Sequence, residues 1–263
     1  MIALARAGLR GLGSVASVTA LLLAWEALAR AGWVSAFLLP SLSSVLTRVG
    51  SDVVTADFWA NLGTTLYRAG VAFGIAAVTG VTLGTLMARI RTVRWFFDPL
   101  VSVGFPMPKI SFLPIFILWF GIFDLSKITM TVFAAVFPVI TATWAATEGV
   151  DRYLVWSAAN MGVGRRRLFW EIIVPAATPE IFTGLQVALP IAFIVVIVTE
   201  MLMGGHGLGA AMITSARFAD SVGVFAGIVE VALVGLLAIK GMERVRRRLL
   251  VWHPETQFTT SAV

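Results

Sequence analysis

The groups able to do chemistry in this chain are few, and several lie inside apolar sequence. Glu200 and Glu230 each interrupt a long hydrophobic run, and Lys109 stands among Pro106, Pro108 and Pro114 in another. An ionisable side chain in such a setting costs roughly 3 kcal/mol unless it faces other protein or a water-filled cavity, so each is a candidate for a solute path. Glu200 is the better carboxylate candidate, because it precedes the loop Gly204-Gly205-His206-Gly207-Leu208-Gly209. Anchoring that loop is an equally good role for it. Glu230 reads either as part of a path or as a buried hydrogen-bonding group with no part in transport. Lys109 would either draw anions into the path or snorkel outward as an anchor.

Enzymatic chemistry has little to work with. Histidine occurs only as His206 and His253 and cysteine is absent, which removes thiolate metal sites and thiol nucleophiles together. No HExxH pattern occurs, and no GxxxxGK followed by serine or threonine offers a cradle for ATP phosphates. No catalytic or metal-binding residue is therefore assigned, and any ATP energy has to come from another chain. His206, alone in a glycine-rich loop, reads as a surface residue.

These groups are positioned by unusually apolar elements. Of 263 residues 59% are hydrophobic and 13% charged, far from the balance of a soluble domain. The apolar residues gather into six runs, near Leu12 to Ala29, Ala69 to Ala88, Leu100 to Ile122, Ile128 to Ala146, Ile181 to Met203 and Val222 to Ile239. Each reaches the roughly 18–20 residues a helix needs to cross a bilayer. Membrane strands would instead show segments of about ten residues alternating in polarity. The expectation is an all-α membrane protein of six transmembrane helices, forming one domain over residues 1–263 with a core at about 60–248.

The net charge of +6 does not form a nucleic-acid-binding stripe. Arg6 and Arg10 precede the first run, Arg89, Arg91 and Arg94 follow the second, Arg152 and Arg165 to Arg167 follow the fourth, and Lys240, Arg244 and Arg246 to Arg248 follow the sixth. The intervening loops carry Arg30, Arg48, Arg68, Lys127 and Arg217 beside Asp52, Asp57, Asp124 and Asp220. By the positive-inside rule both termini are cytoplasmic. The first run lacks a small-residue cleavage pattern, so it reads as a retained helix rather than a signal.

Between the runs, Pro40-Ser41-Leu42 opens a segment with Val45, Leu46, Val49 and Val53 at helical spacing, a short amphipathic helix on the outer surface. Gly70 with Gly74 and Gly80 with Gly84 form two GxxxG pairs that allow close helix approach. Pro106, Pro108 and Pro114 predict a third helix that is kinked or broken, or one that ends at Phe105 and restarts after Pro114. Such a break belongs against protein or beside a cavity. The inner segment of about 148–180 is too long for a hairpin, and its Leu154 to Gly162 pattern predicts a short helix along the inner surface.

Within that segment, Trp156-Ser157-Ala158-Ala159-Asn160-Met161-Gly162-Val163-Gly164, followed by Ile172-Ile173-Val174-Pro175, resembles the EAA loop of ABC importer permeases. Ala158, Gly162 and Pro175 fall on motif positions, whereas the motif's glutamate falls on Trp156 and its first alanine on Ser157. Phe37-Leu38-Leu39-Pro40-Ser41, Leu113 to Ile122 with Leu125 to Ile128, Val198-Thr199-Glu200-Met201-Leu202, and Val224 to Ile228 are similar to the nitrate, sulfonate and taurine branch. The resemblance spans Trp25 to Trp252. It implies a type I ABC importer permease in the cytoplasmic (inner) membrane, working as a homodimer with two cytoplasmic ATPase subunits that bind ATP and magnesium. An extracytoplasmic solute-binding protein would deliver a small organic or inorganic anion.

On the same resemblance the short inner helix is a coupling helix seated in an ATPase groove, with Ser157, Ala158, Ala159 and Gly162 as small contact residues. Ser157 or Arg165 would stand in for the missing glutamate, and Pro175 closes the segment. The competing reading is a secondary, ion-coupled transporter, which also uses broken helices and intramembrane carboxylates but usually shows paired repeats. A membrane-embedded enzyme ranks third.

Overall fold

Backbone that lies in hydrocarbon must satisfy its own hydrogen bonds, and helices do so within each segment. The computed structural model describes residues 2–252, with side chains from residue 16 onward. His253 lies outside the described residues, as do the side chains of Arg6 and Arg10. Every regular element described is helical.

The chain begins with α1 (Ile2–Arg30) and then α2 (Leu42–Val53), the expected amphipathic helix, capped by Ser41, whose side chain accepts from the Ser44 amide. α3 (Ala56–Arg89) follows, then α4 (Arg91–Gly104), a 3-10 turn (Lys109–Phe112) and α5 (Leu113–Phe120). α6 (Asp124–Glu148) leads to the short α7 (Arg152–Asn160) and α8 (Arg165–Leu168). A π-turn (Phe169–Ile173) runs into α9 (Val174–Met203), and α10 (Leu208–Arg217) and α11 (Ser221–Leu249) complete the order.

Among the described residues four segments are long and apolar enough to cross a membrane: α3, α6, the run from α8 through α9, and α11. The third apolar run is not one helix. α4 and the turn leading into α5 are bent by 100°, which makes them either one broken span, the fifth, or a re-entrant loop. The chain resumes its helix at Leu113, one residue before Pro114, because a proline in the first helical turn lacks only an amide that would be unpaired anyway. Six crossings were expected; among the described residues four spans, or five with the bent pair, meet the length and hydropathy needed, and α1, 29 residues long, is not one of them.

The inner segment is shorter than hydropathy suggests. Helix resumes at Arg165, and Pro175 sits in the first turn of α9 instead of ending a loop. The preceding π-turn widens the helix where that proline enters.

α6 is the centre of the packing, with α3 on one side and α9 on the other. Their contact surfaces are built from Ala76, Ala135, Val139, Ala188 and Ala192, all buried. A Cβ on Gly84 would stand 2.7 Å from the Ile140 carbonyl, one on Gly80 2.7 Å from Val139, and one on Gly184 2.3 Å from Ala142. Small residues here let backbones touch, the main source of helix association in lipid. The other GxxxG pair does not share this role, since nothing lies within 4 Å of a Cβ placed on Gly70 or Gly74.

Candidate functional site

Three regions carry the candidate residues, one at each end of α9 and one at the bend after α4. At the far end the helix stops because Gly204, at φ +68°, turns the chain into a left-handed conformation that glycine adopts freely. Gly205 and Gly207 follow at φ +90° and +123°. Gly207 has a second reason to be glycine, because a Cβ there would lie 2.3 Å from the Glu200 carboxylate. The loop is folded directly over that carboxylate.

Glu200 is fully buried. It accepts from Arg68 Nη1 at 2.7 Å, from Thr65 Oγ1 at 2.9 Å and from the Gly209 amide at 3.1 Å. The Gly209 amide belongs to the first turn of α10, whose positive dipole end favours an anion. Arg68, also buried, donates to the His206 carbonyl at 2.6 Å and, through Nε and Nη2, to Asp124 at 2.9 and 2.6 Å. Lys127 is 2% exposed and donates to the Gly204 carbonyl at 2.7 Å. Thr65 Oγ1 accepts from the Leu208 amide, and Asn61 Oδ1 accepts from that of Gly207.

Two cations and two carboxylates thus tie α3, α6, α9 and the start of α10 together under one loop. Such a cluster is tolerable at this depth because the charges balance and their hydrogen bonds are made inside protein. Arg68 and Lys127, expected as outer-loop charges, lie instead inside α3 and α6. Glu200 bonds the first turn after the glycine loop and reaches no open surface in this conformation. The His206 ring stays on the surface, and its backbone carbonyl does the binding.

Lys109 sits at the bend after α4, opposite the middle of α6. Gly104 meets the Phe137 ring there, where a Cβ would come within 2.3 Å. Lys109 Nζ donates to the Phe105 carbonyl, an acceptor that the end of α4 leaves without a helical amide, and lies 5.3 Å from the centre of the Phe137 ring. It is half-buried. The structure does not bring Lys109 and Glu200 into one site.

At the near end, Asp151 caps α7 by accepting from the Tyr153 amide at 2.8 Å, and Gly162 closes it at φ +81°. α7 packs on the π-turn and α8, and Ala158 is the residue it turns inward, 7% exposed. Ser157, Ala159, Gly162 and Arg165 are exposed, and Pro175 is half-buried at the start of α9. The outward face is not mainly small. Tyr153 and Trp156 stand edge to face 5.7 Å apart, with exposures of 75% and 57%, and Met161 is 81% exposed. The sequence signal for them was the i, i+3 spacing of two aromatics on a short polar-flanked helix.

Residues 80–251 match the family described as binding-protein-dependent transport system inner membrane component. Over 249 residues the chain is 30% identical to the taurine transport system permease protein TauC of Escherichia coli, covering 93% of this chain and 90% of that one. It is 32% identical over 217 residues to the formylaminopyrimidine transport permease protein ThiX of Halalkalibacterium halodurans, covering 82% and 86%. Among solved structures, a chain of the inward-facing MetNI methionine ABC transporter superposes with a TM-score of 0.62 over 72% of this chain and 96% of its own length. At 16% identity that likeness concerns the fold.

Proposed function

Because the chain belongs to the family of binding-protein-dependent transport system inner membrane components, and is thus a multi-pass permease subunit of an ABC importer, we propose that it works as a pair of identical subunits driven by two ATPase chains. Family membership favours this over an ion-coupled carrier. ATP and magnesium would be held by the ATPase chains, and an extracytoplasmic binding protein would deliver the solute. The solute class is a small anion, with sulfonates such as taurine first, since the permease TauC is named for taurine.

The observation that carries the coupling role is the exposed face of α7. A nine-residue helix that leaves Tyr153 and Trp156 in solvent, beside the exposed Arg165 and Arg166, presents the aromatic anchors and arginines that dominate protein interfaces. Its mount is firm: Ala158 and the π-turn connect it to α9. Ser157 and Ala159 provide the small flanks between which an ATPase surface can close, and Gly162 and Pro175 set the exit and return of the segment at about 148–180. The basic clusters Arg89 to Arg94 and Arg246 to Arg248 fall at helix ends, and by the positive-inside rule they support a cytoplasmic position for the α7 side and both termini. The glycine loop and α2 then face outside, where the binding protein docks.

Lys109 and Glu200 take different parts. Lys109, half-buried at the bend, is the cation available to a passing anion, and Glu200 keeps the outer loop shut over the bundle. Reconstitution tests the reading: permease and ATPase in lipid should hydrolyse ATP faster when a solute-loaded binding protein is added. Unchanged hydrolysis with every candidate anion-binding protein of the same operon would overturn it.

A further inference from the structure

Among the described residues Glu230 is a buried carboxylate inside a spanning helix whose Oε1 the fold leaves unpaired. It lies roughly 14 Å along α11 from Ser221 at the rise of an α-helix, is 9% exposed, and its Oε1 has no hydrogen-bond partner. A buried orphan of this kind costs stability. At this depth it calls for a ligand or a role.

The carboxyl lines a cavity of about 250 Å³ between α2, the start of α3, α10 and α11. Arg48 and Asp52 form one wall, Asp57 stands exposed at the mouth, and Phe58 and Met212 supply apolar surface. Arg48 lies near Glu230 but makes no hydrogen bond to it. Its Nε donates to Asp52 at 2.9 Å and its Nη1 to Asp220 at 3.0 Å. Asp52 and Asp220 share that one guanidinium, and with Asp57 and Glu230 also lining the cavity the acids outnumber the bases around it, so the field inside favours a cation.

The type of cation follows from the spacing of the acids. Among the described residues no three or more metal-ligating side chains converge closely enough to hold a metal ion. The single deep carboxylate suits an ammonium group, and the apolar walls suit a short carbon skeleton. We propose that this outer cavity binds a small organic ammonium compound, its ammonium against the Glu230 carboxylate and its carbon atoms against Phe58 and Met212. The site rests on this cavity alone and stands apart from the glycine-loop cluster and from α7.

The test uses the full chain in nanodiscs of phosphatidylglycerol, so that no lipid ammonium competes, titrated with n-propylammonium and with its neutral isostere n-propanol. The expected result is saturable binding of n-propylammonium, little of n-propanol, and at least a tenfold weaker affinity in Glu230→Gln with an unchanged unfolding temperature. Ala211→Phe, which fills the exposed edge of the cavity and leaves the carboxylate in place, should remove binding as well, and decides the matter if Glu230→Gln does not fold. Repeating the titration in discs containing phosphatidylethanolamine identifies the source: competition there assigns the site to a lipid headgroup ammonium, and equal affinity assigns it to a soluble one. Equal binding of the two probes, no binding of either, displacement by sodium at matching concentration, or full affinity in both variants would overturn the inference.

Discussion

Replacing Arg68 by methionine should open the glycine loop while leaving the bundle folded. The substitution removes donors to Glu200, to the His206 carbonyl and to Asp124. The Asp124 side chain is 54% exposed, so water replaces that contact and its loss counts for less than about 1 kcal/mol. Glu200 is different: with no exposed surface it keeps Thr65 and the Gly209 amide but loses its bonded cation, a change worth about 3–5 kcal/mol. Lys127 is near enough to compensate in part, which argues for the lower end, about 3 kcal/mol or roughly a hundredfold in the loop-opening equilibrium. The chain has no cysteine, so Ala210→Cys gives a single label at a position 2% exposed under the loop. Its maleimide labelling should be slow in the parent and roughly a hundredfold faster with Arg68→Met. Adding Glu200→Met should restore much of the protection, because removing both charges leaves no buried orphan. Labelling within about twofold of the parent in Arg68→Met would refute the claim that this ion pair holds the loop.

The same reasoning gives five further expectations. Trp156→Ala or Tyr153→Ala should cost about 2 kcal/mol of association with the ATPase, read as lost ATPase on co-purification with the permease at normal abundance; full recovery would remove α7 as the coupling element. Ala158→Glu and Gly162→Trp should instead lower the abundance of the permease itself, since one buries a charge against the π-turn and the other forces a bulky side chain to φ +81°. Gly84→Val should destabilise by about 1–3 kcal/mol through collision with the Ile140 carbonyl whereas Gly74→Ala should be neutral or stabilising, a contrast that thermal unfolding checks and that would be lost if the two behaved alike. Lys109→Met should slow anion uptake by the reconstituted complex, and uptake at the parental rate would leave the lysine as a cap on the Phe105 carbonyl. Tags before Ile2 and after Trp252 should be reachable only from the cytoplasm and one at Ser44 only from outside; the same side for Ser44 and the C-terminus would contradict six crossings.

What was legible in the sequence follows the range over which each force acts. Apolar runs and the helix opened by Pro40-Ser41-Leu42 are local signals, and helices do appear over them, with boundaries that local signals do not fix. The bend after α4 was legible in kind from Pro106 and Pro108, but its angle depends on Gly104 admitting the Phe137 ring of another helix. The charge cluster was not legible because its members meet across 132 residues. Hydropathy began the second run at Ala69, whereas α3 begins at Ala56 and carries Arg68 inside. A helix boundary drawn where charge begins will misplace any charge that has a buried partner, since the partner removes the reason for that charge to stay in water. The same limit applies to α7. Small residues mark surfaces that come close, but Ala158 comes close to its own chain, and only the tertiary placement of the π-turn shows that Tyr153 and Trp156 are the side chains left exposed.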